Sequence, residues 1–566
     1  MLSLFRIAAL CALVCSAAAR ADDLRTLDAD YWSWRALEQP YSDDDIPRLE
    51  RPFDAQVDWS AAATARYRAA VQGFEKRWQA LTPPADAARV DLVDHRLIGS
   101  AIARARFELD IARSWQRHPG FYIDQTLGSV YVALLAPPPF DAAREALILH
   151  RLERIPTTLA AARANLTDIR RPFLLLATDA LTDIEPRLAR FEQALAPHFS
   201  PNGQNRLSRG VQAAATALGG YRDWLHTQAA SARPDTALGR DGYDYFLHNV
   251  ALLPYTPDAM LALAHAEWSR AVAFESIEEN RLAGQAPAAL FASSDAQVLA
   301  EHEQELRVRQ FLVAHHLLSV PNDLAHYRNQ LLPDYLEPLA FLGVSDDLTG
   351  PTRLHADSVS YIRTPRPDLP YFYRSTAQDP RPILVHEGIP GHYFQLALGW
   401  RHPDPVRRHY YDSAANEGIG FYAEELMLQA GLFDDNAHTR ATIYNFMRLR
   451  ALRVEVDVRL ALGEYTLEQA ADYLQRTVPM DHATALEEAA NFAATPGTAI
   501  SYQIGKIQIL ALLADARRHD GAAFSLLNFH DRLWREGNVP FALTRFELWG
   551  DRSALPTPLA LPQTHP

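Results

Sequence analysis

Two histidines six residues apart, with Pro-Gly between them, constrain this chain more than any other feature. They lie in Val385-His386-Glu387-Gly388-Ile389-Pro390-Gly391-His392-Tyr393-Phe394-Gln395. The common zinc-hydrolase pattern, His-Glu-x-x-His, sets two imidazoles four residues apart on one helical face, and the glutamate beside the first polarises a water. Six residues of regular helix turn through roughly 600°, which points two rings in different directions. For both rings to meet one ion, the backbone has to leave the helix between them. Pro390 lacks the amide a helix would use, and Gly391 tolerates unusual dihedrals, so this pair is placed to do it.

A second segment follows, Asn416-Glu417-Gly418-Ile419-Gly420-Phe421-Tyr422-Ala423-Glu424-Glu425. Glu417, Phe421 and Glu424 recur at helical spacing, so one face can carry a third ligand and an acid behind it. On residues alone a His-Glu pair also fits a surface or capping arrangement, and the acids also fit a solvated face. Both readings stand at this point.

Taken together, His-Glu-Gly-Ile-Pro-Gly-His-x-x-Gln and Glu-Gly-x-Gly-x-Tyr-Ala-Glu resemble the domain-of-unknown-function 885 family of gluzincin-like zinc peptidases. The resemblance implies Zn²⁺ held by His386, His392 and Glu417, with Glu387 as general base and Glu424 orienting a ligand from behind. It implies a mainly α fold, a large helical metallopeptidase-like domain with a cleft and a small β element near the metal. A metal hydrolase also needs a donor for the oxyanion. The resemblance implies that Thr495-Pro496-Gly497-Thr498-Ala499-Ile500-Ser501-Tyr502-Gln503-Ile504-Gly505-Lys506 faces the site, which makes Tyr502 the candidate, with Lys506 further off. Without the resemblance Tyr502 reads as a packing tyrosine.

The likeness extends over most of the chain, through Arg154-Ile155-Pro156 and Phe529-His530-Asp531, although those outer matches are individually weak. Three departures bear on substrate choice. Ala461 stands where the family usually has histidine, Asn491-Phe492 where it has Arg-Tyr, and Thr498 where it has Gln. An arginine lost from a cleft removes a partner for a substrate carboxylate.

Composition narrows the function classes. Residues 1–21 carry Arg6, an apolar run from Ile7 to Val14, and Ala19-Arg20-Ala21 as a small-x-small cleavage site, which reads as a secretory signal peptide. Val14 before Cys15 argues against a lipoprotein signal. Both cysteines, Cys11 and Cys15, lie in that leader, so the remaining chain offers no disulfide, catalytic thiolate or thiolate metal ligand. The formal net charge is −14, and the leader contributes only the cations Arg6 and Arg20. That balance argues against nucleic acid and anionic membrane as partners. No later apolar run reaches the length of a span. The expected location is periplasmic or secreted.

By length alone the 566 residues suffice for roughly three to four domains. The pattern and resemblance together favour one large helical domain over 22–566. A loop is expected at Tyr41-Ser42-Asp43-Asp44-Asp45. Apolar periodicity predicts helices over 59–81, 90–116, 141–154, 157–166, 177–196, 205–232, 258–282 and 296–312, with Thr256-Pro257 as a helix start. Alanine, leucine and arginine are frequent throughout, which suits helices. Ser358 to Arg363 and Pro370 to Arg374 read as two strands just upstream of the histidines. In gluzincin-like enzymes an edge strand there holds the substrate backbone, and a purely structural hairpin is the competing reading. Arg453 to Leu460 alternates like a strand, yet its helical flanks and the resemblance favour one long helix.

The expected function is therefore an exported zinc peptidase acting on a peptide substrate. Two alternatives are a zinc hydrolase of another amide or ester, and a non-catalytic exported binding protein. Turnover of simple esters but no peptide would favour the first. A fourth protein ligand closing the metal would favour the second, because closed four-ligand zinc sites are structural.

Overall fold

The computed structural model describes residues 23–41, 49–52, 55, 57–84, 86–478 and 480–562. Residues 1–21, read above as a leader, and Ser42 to Asp45 of the expected loop at 41–45 lie outside them. The fold is mainly α with one three-stranded sheet, as expected. None of the described helices is long and apolar enough to cross a membrane.

Several helix boundaries differ from those the periodicity predicts. The two helices expected on either side of Ile155-Pro156 are one, α1 (Ala142–Asn165), with Pro156 inside it. Leu152, Ile155 and Leu159 stay on one fully buried face, and their packing outweighs the lost amide. The helix expected over 177–196 is instead two, Arg171–Ala180 and Ile184–Leu195, separated by a turn at 181–183. The one expected over 90–116 ends as regular helix at Arg106 and widens over Phe107–Ala112. Where Thr256-Pro257 predicts a start, α2 (Pro257–Arg281) begins, with the Thr256 hydroxyl accepting from the amide of Ala259.

The sheet corrects the hairpin expectation. Its strands are β1 (Tyr327–Leu331), β2 (Asp346–Asp347) and β3 (Ser358–Ile362), in the order β1-β3-β2. β3 is the central strand. It runs parallel to β1, with Tyr327 opposite Ser358, and antiparallel to β2, with Asp346 opposite Ser360. β1 pairs with the whole of β3 along one edge and β2 with Val359 and Ser360 on the other, so β3 offers little free edge to a substrate strand. Its expected partner, Pro370 to Arg374, is helical: α3 (Tyr371–Thr376). The aromatic run there packs on a neighbouring helix, with Tyr371 and Phe372 against Phe446 at ring centroid distances of 5.8 and 5.7 Å. Tertiary contact overrides the strand preference of these residues.

Four helices then build the centre: α4 (His392–Gly399), α5 (Ser413–Ala430), α6 (Ala437–Leu462) and α7 (Ile500–Asp520). α5 is buried on nearly every side. Phe421, Ala423 and Met427 have no exposed surface, and each large apolar side chain buried this way stabilises by about 1.5–3 kcal/mol. α5 and α7 cross where Gly418 meets Gly505, and a Cβ on either would lie 2.7 Å from the other's Cα. That close crossing sets Tyr502 beside Glu417's helix.

The strand-like alternation in α6 has a simple origin. Leu452, Val456 and Leu460 face one apolar cluster, while Val454, Val458 and Ala461 face another. A helix sandwiched between two cores is apolar on opposite faces, and reading every second residue then mimics a strand. The helical assignment of 453–460 holds.

Candidate metal centre

The backbone between the histidines leaves the helix as the spacing requires. His386 sits in a widened turn, Leu384–Gly388, closed by the amide of Ile389 donating to the carbonyl of Leu384. Ile389 is extended (φ −130°, ψ 124°), and helix resumes at His392. This detour brings the two rings to 4.7 Å between centroids, at 75° to each other. Gly391 is needed because a Cβ there would fall 1.7 Å from the carbonyl oxygen of His386. The buried Trp534 braces the detour, its indole N–H donating to the Pro390 carbonyl at 2.6 Å. On α5, Gly420 leaves room for both imidazoles, since a Cβ would lie 2.9 Å from His392 and 3.0 Å from His386.

Four side chains converge here. Ligand-capable atoms of His386, Glu387 and His392 lie within 4.8 Å of one another. Glu417 Oε2 lies 3.4 Å from His386 Nε2 and 3.2 Å from His392 Nε2. The side chains of His386, His392 and Glu417 are 2–5% exposed, whereas that of Glu387 is 27% exposed and 4.0 Å from His392 Nε2. Glu387 is thus the member that reaches the cleft.

Support comes from behind. Glu424 Oε1 lies 2.7 Å from His386 Nδ1, and Arg450 of α6 ion-pairs with the same oxygen at 2.8 Å. Arg450 is held in an aromatic box, 5.0 Å from the ring centre of Phe421 and 5.6 Å from that of Tyr502. The Tyr502 ring lies nearly parallel to His386, at 15° and 6.1 Å. Just before α7, buried Asp457 accepts from Tyr243 and from the amides of Gly497 and Ala499, which fixes the turn leading to Tyr502. Lys506 is one turn on and faces away, paired with Glu425 at 2.8 Å and Glu267 at 3.1 Å.

The electrostatics are uneven across the cluster. Burial drives the Glu417 carboxyl up, but the charge of His392 and the close ring nitrogens of both histidines outweigh it and hold the group well below the carboxylate range. Burial and Arg450 both depress His386, yet the close carboxylates of Glu417 and Glu424 leave it raised. Glu387 is pushed up to about 8, chiefly by desolvation, with Asp346 and Glu417 adding to it against His392.

This arrangement fits a cation. Glu417 Oε2 is buried with no hydrogen-bond partner among the described residues, although two ring nitrogens point at it. An ion bound by two imidazole nitrogens and a carboxylate satisfies that oxygen, and zinc favours this donor set. His386 and Glu387 also line a cavity of about 1160 Å³, together with Tyr502 and Asp346.

Two residues at the site are not apparent from sequence. Arg450 lies inside a helical apolar run, and its only signal is that a buried acid such as Glu424 demands a cation. Asp346 belongs to β2 and is raised to about 6, first by burial, with Ser360 and His392 pulling the other way. The departures sit along the same region. Thr498 and Asn491 line the cavity, Phe492 lies under Arg453 at 5.6 Å, and the Ala461 carbonyl accepts from the amides of Leu238 and Gly239. His530 and Asp531 are structural: His530 bridges Tyr422 and the Leu317 carbonyl, and Asp531 accepts from Ser319.

Comparison with known proteins adds a family and a fold. The profile of the family described as "Bacterial protein of unknown function (DUF885)" matches residues 50–547. No curated protein matches the chain. Two solved structures, each described as a "putative lipoprotein", share the fold. One, from Shewanella oneidensis, has a TM-score of 0.66 at 17% identity and covers 94% of this chain and 98% of its own. The other, from Colwellia psychrerythraea, has a TM-score of 0.68 at 16% identity and covers 93% and 97%.

Proposed function

We propose that this chain, which belongs to the bacterial family of unknown function DUF885, is an exported zinc-dependent peptidase. One observation carries the reading. Three buried ligand groups converge on one point, His386, His392 and Glu417, and a second acid, Glu387, stands beside them facing the cleft. Glu387, 27% exposed and 4.0 Å from His392 Nε2, stands apart from the three as a base rather than as a fourth ligand closing the site. Export is supported by the leader-like residues 1–21 and by the description of the two structural relatives as lipoproteins.

His386, His392 and Glu417 would hold the zinc, which when bound supplies a Lewis acid and lowers the pKa of a water. Glu387 then accepts a proton from the attacking water and returns it to the leaving amine. Its exposure toward the cleft suits a group that must exchange a proton between those steps. Glu424, fixed by Arg450, lies 2.7 Å from His386 Nδ1 and so favours Nε2 facing the ligand point. The Tyr502 hydroxyl is the donor assigned to the oxyanion. A cavity of about 1160 Å³ is of the size that takes a short peptide rather than a folded protein.

The test is a zinc-loaded preparation screened against a library of short peptides, with and without a chelator. Chelator-sensitive cleavage that disappears in Glu387→Gln supports the reading. Peptide cleavage that survives both treatments would overturn it.

A further inference from the structure

Half of the arginines along the cleft are already paired. Arg35 is bidentate to Glu108, Arg453 is bidentate to Glu488, and Arg450 bonds Glu424. Arg104, Arg187 and Arg363 form no ion pair with any described carboxylate, and each lies over an aromatic ring: Phe246 at 5.9 Å, Phe341 at 4.3 Å and Tyr373 at 4.7 Å. Carboxylates are not scarce in this chain, with 69 Asp and Glu against 55 Lys and Arg. An arginine left unpaired in such a cleft is therefore open to an anion from outside.

Of the three, Arg363 is tied most closely to the candidate metal centre. It directly follows β3, three residues past Ser360, and Ser360 pairs in register with Asp346. Asp346 in turn shares the electrostatic surroundings of Glu387 and His392. Three extended residues span about 10 Å from Ser360 to Arg363, and Arg363 and Glu387 line the same cavity, so one short peptide can span both. Arg363 Nε is buried with no hydrogen-bond partner among the described residues, and the guanidinium carbon lies 4.7 Å from the centre of the Tyr373 ring. A planar guanidinium beside a ring with an unmatched Nε–H suits the two oxygens of a carboxylate.

We infer that Arg363 is the binding site for a substrate carboxylate, supplied either by the C-terminus of a short peptide or by an Asp or Glu side chain downstream of the cleaved bond. The inference rests on the peptidase reading for its direction along the substrate, but its test does not need turnover.

The experiment measures binding by calorimetry to the zinc-loaded full chain carrying Glu387→Gln, with and without Arg363→Gln. The probes are tetra-alanine, its C-terminal amide, N-acetyl-Ala-Ala-Glu-Ala amide and the same peptide with Gln for Glu. With Arg363 present, one charged probe should bind tighter than its neutral counterpart by on the order of 10- to 100-fold, as a charge-assisted pair gives. Which pair shows it identifies the source of the carboxylate. Arg363→Gln should erase the preference and Arg363→Lys should restore part of it, at unchanged melting temperature. A preference that survives Arg363→Gln, no preference at all, or no binding of any probe at millimolar concentration overturns the inference. Cleavage of these peptides by the Glu387 protein without Arg363-dependent preference sinks the inference and leaves the peptidase reading. Arg363-dependent binding with no cleavage does the reverse.

Discussion

Glu424 and Glu425 are neighbours on α5, both buried, and they point into two different ion clusters. Glu425 is fully matched: Lys506 reaches it at 2.8 Å and Arg270 at 2.7 Å. Glu424 faces His386 and Arg450, beside a group of acids and imidazoles that outnumbers its one cation. The first cluster is complete as it stands, whereas the second leaves a buried carboxylate oxygen of Glu417 without a partner. Buried charge alone therefore does not mark a site. A shortfall of positive charge among converging ligands does, because proteins rarely leave such oxygens unsatisfied.

Substitutions can break this contrast from either side. The largest effect is expected from Glu387→Gln, which should lower peptide turnover by about 10³-fold or more while metal content and melting temperature hold. Steady-state kinetics on a metal-replete sample checks this, and residual activity within tenfold of the parent would end the base assignment. In the complete cluster, Lys506→Met should cost about 3–5 kcal/mol in denaturant unfolding, as stranding buried acids does, yet leave metal binding intact. Loss of metal in that variant would mean the two clusters are one system.

Acid sharpens the same difference. Burial pushes Glu425 up, but Lys506 and Arg270 overcome it and hold the carboxyl at about 2. A group depressed on folding gives stability that is complete above its unfolded pKa near 4.5 and is lost as pH falls toward 2. The contribution is on the order of 3 kcal/mol. Melting curves of Glu425→Gln should therefore lack the acid limb that the parent shows between pH 4.5 and 2, and a limb of equal depth in both proteins would contradict the assignment. The smallest effect is expected from replacing Glu424 and Arg450 together by Gln and Met, which strands neither charge. Zinc affinity should fall by about 10- to 100-fold, read by competition with a chromogenic chelator. Unchanged affinity would show that His386 needs no support from behind.

Much of the candidate centre was legible because its constraints are local. The six-residue spacing demanded a broken helix, and the Asn416-to-Glu425 segment reads as helix with its acids on defined faces. What sequence alone missed depends on distant packing. Arg450 comes from a helix that also carries two apolar faces, and that pattern disguises its period. Asp346 comes from a two-residue strand too short to leave a pattern. Tyr371 to Arg374 has strand-favouring residues, yet Phe446 and the start at Pro370 draw it into a helix. The same limit applies to β3, whose sequence looks like a strand but cannot reveal that β1 and β2 pair along its two edges.

The central claim is that His386, His392 and Glu417 form a metal site, and metal content tests it most directly. The purified protein, measured by elemental analysis after zinc is added and excess removed, should hold about one zinc per chain, and His392→Ala should hold close to none. Equal zinc in both proteins, or none in either, would contradict the account and leave the uneven charge of this cluster to be explained some other way.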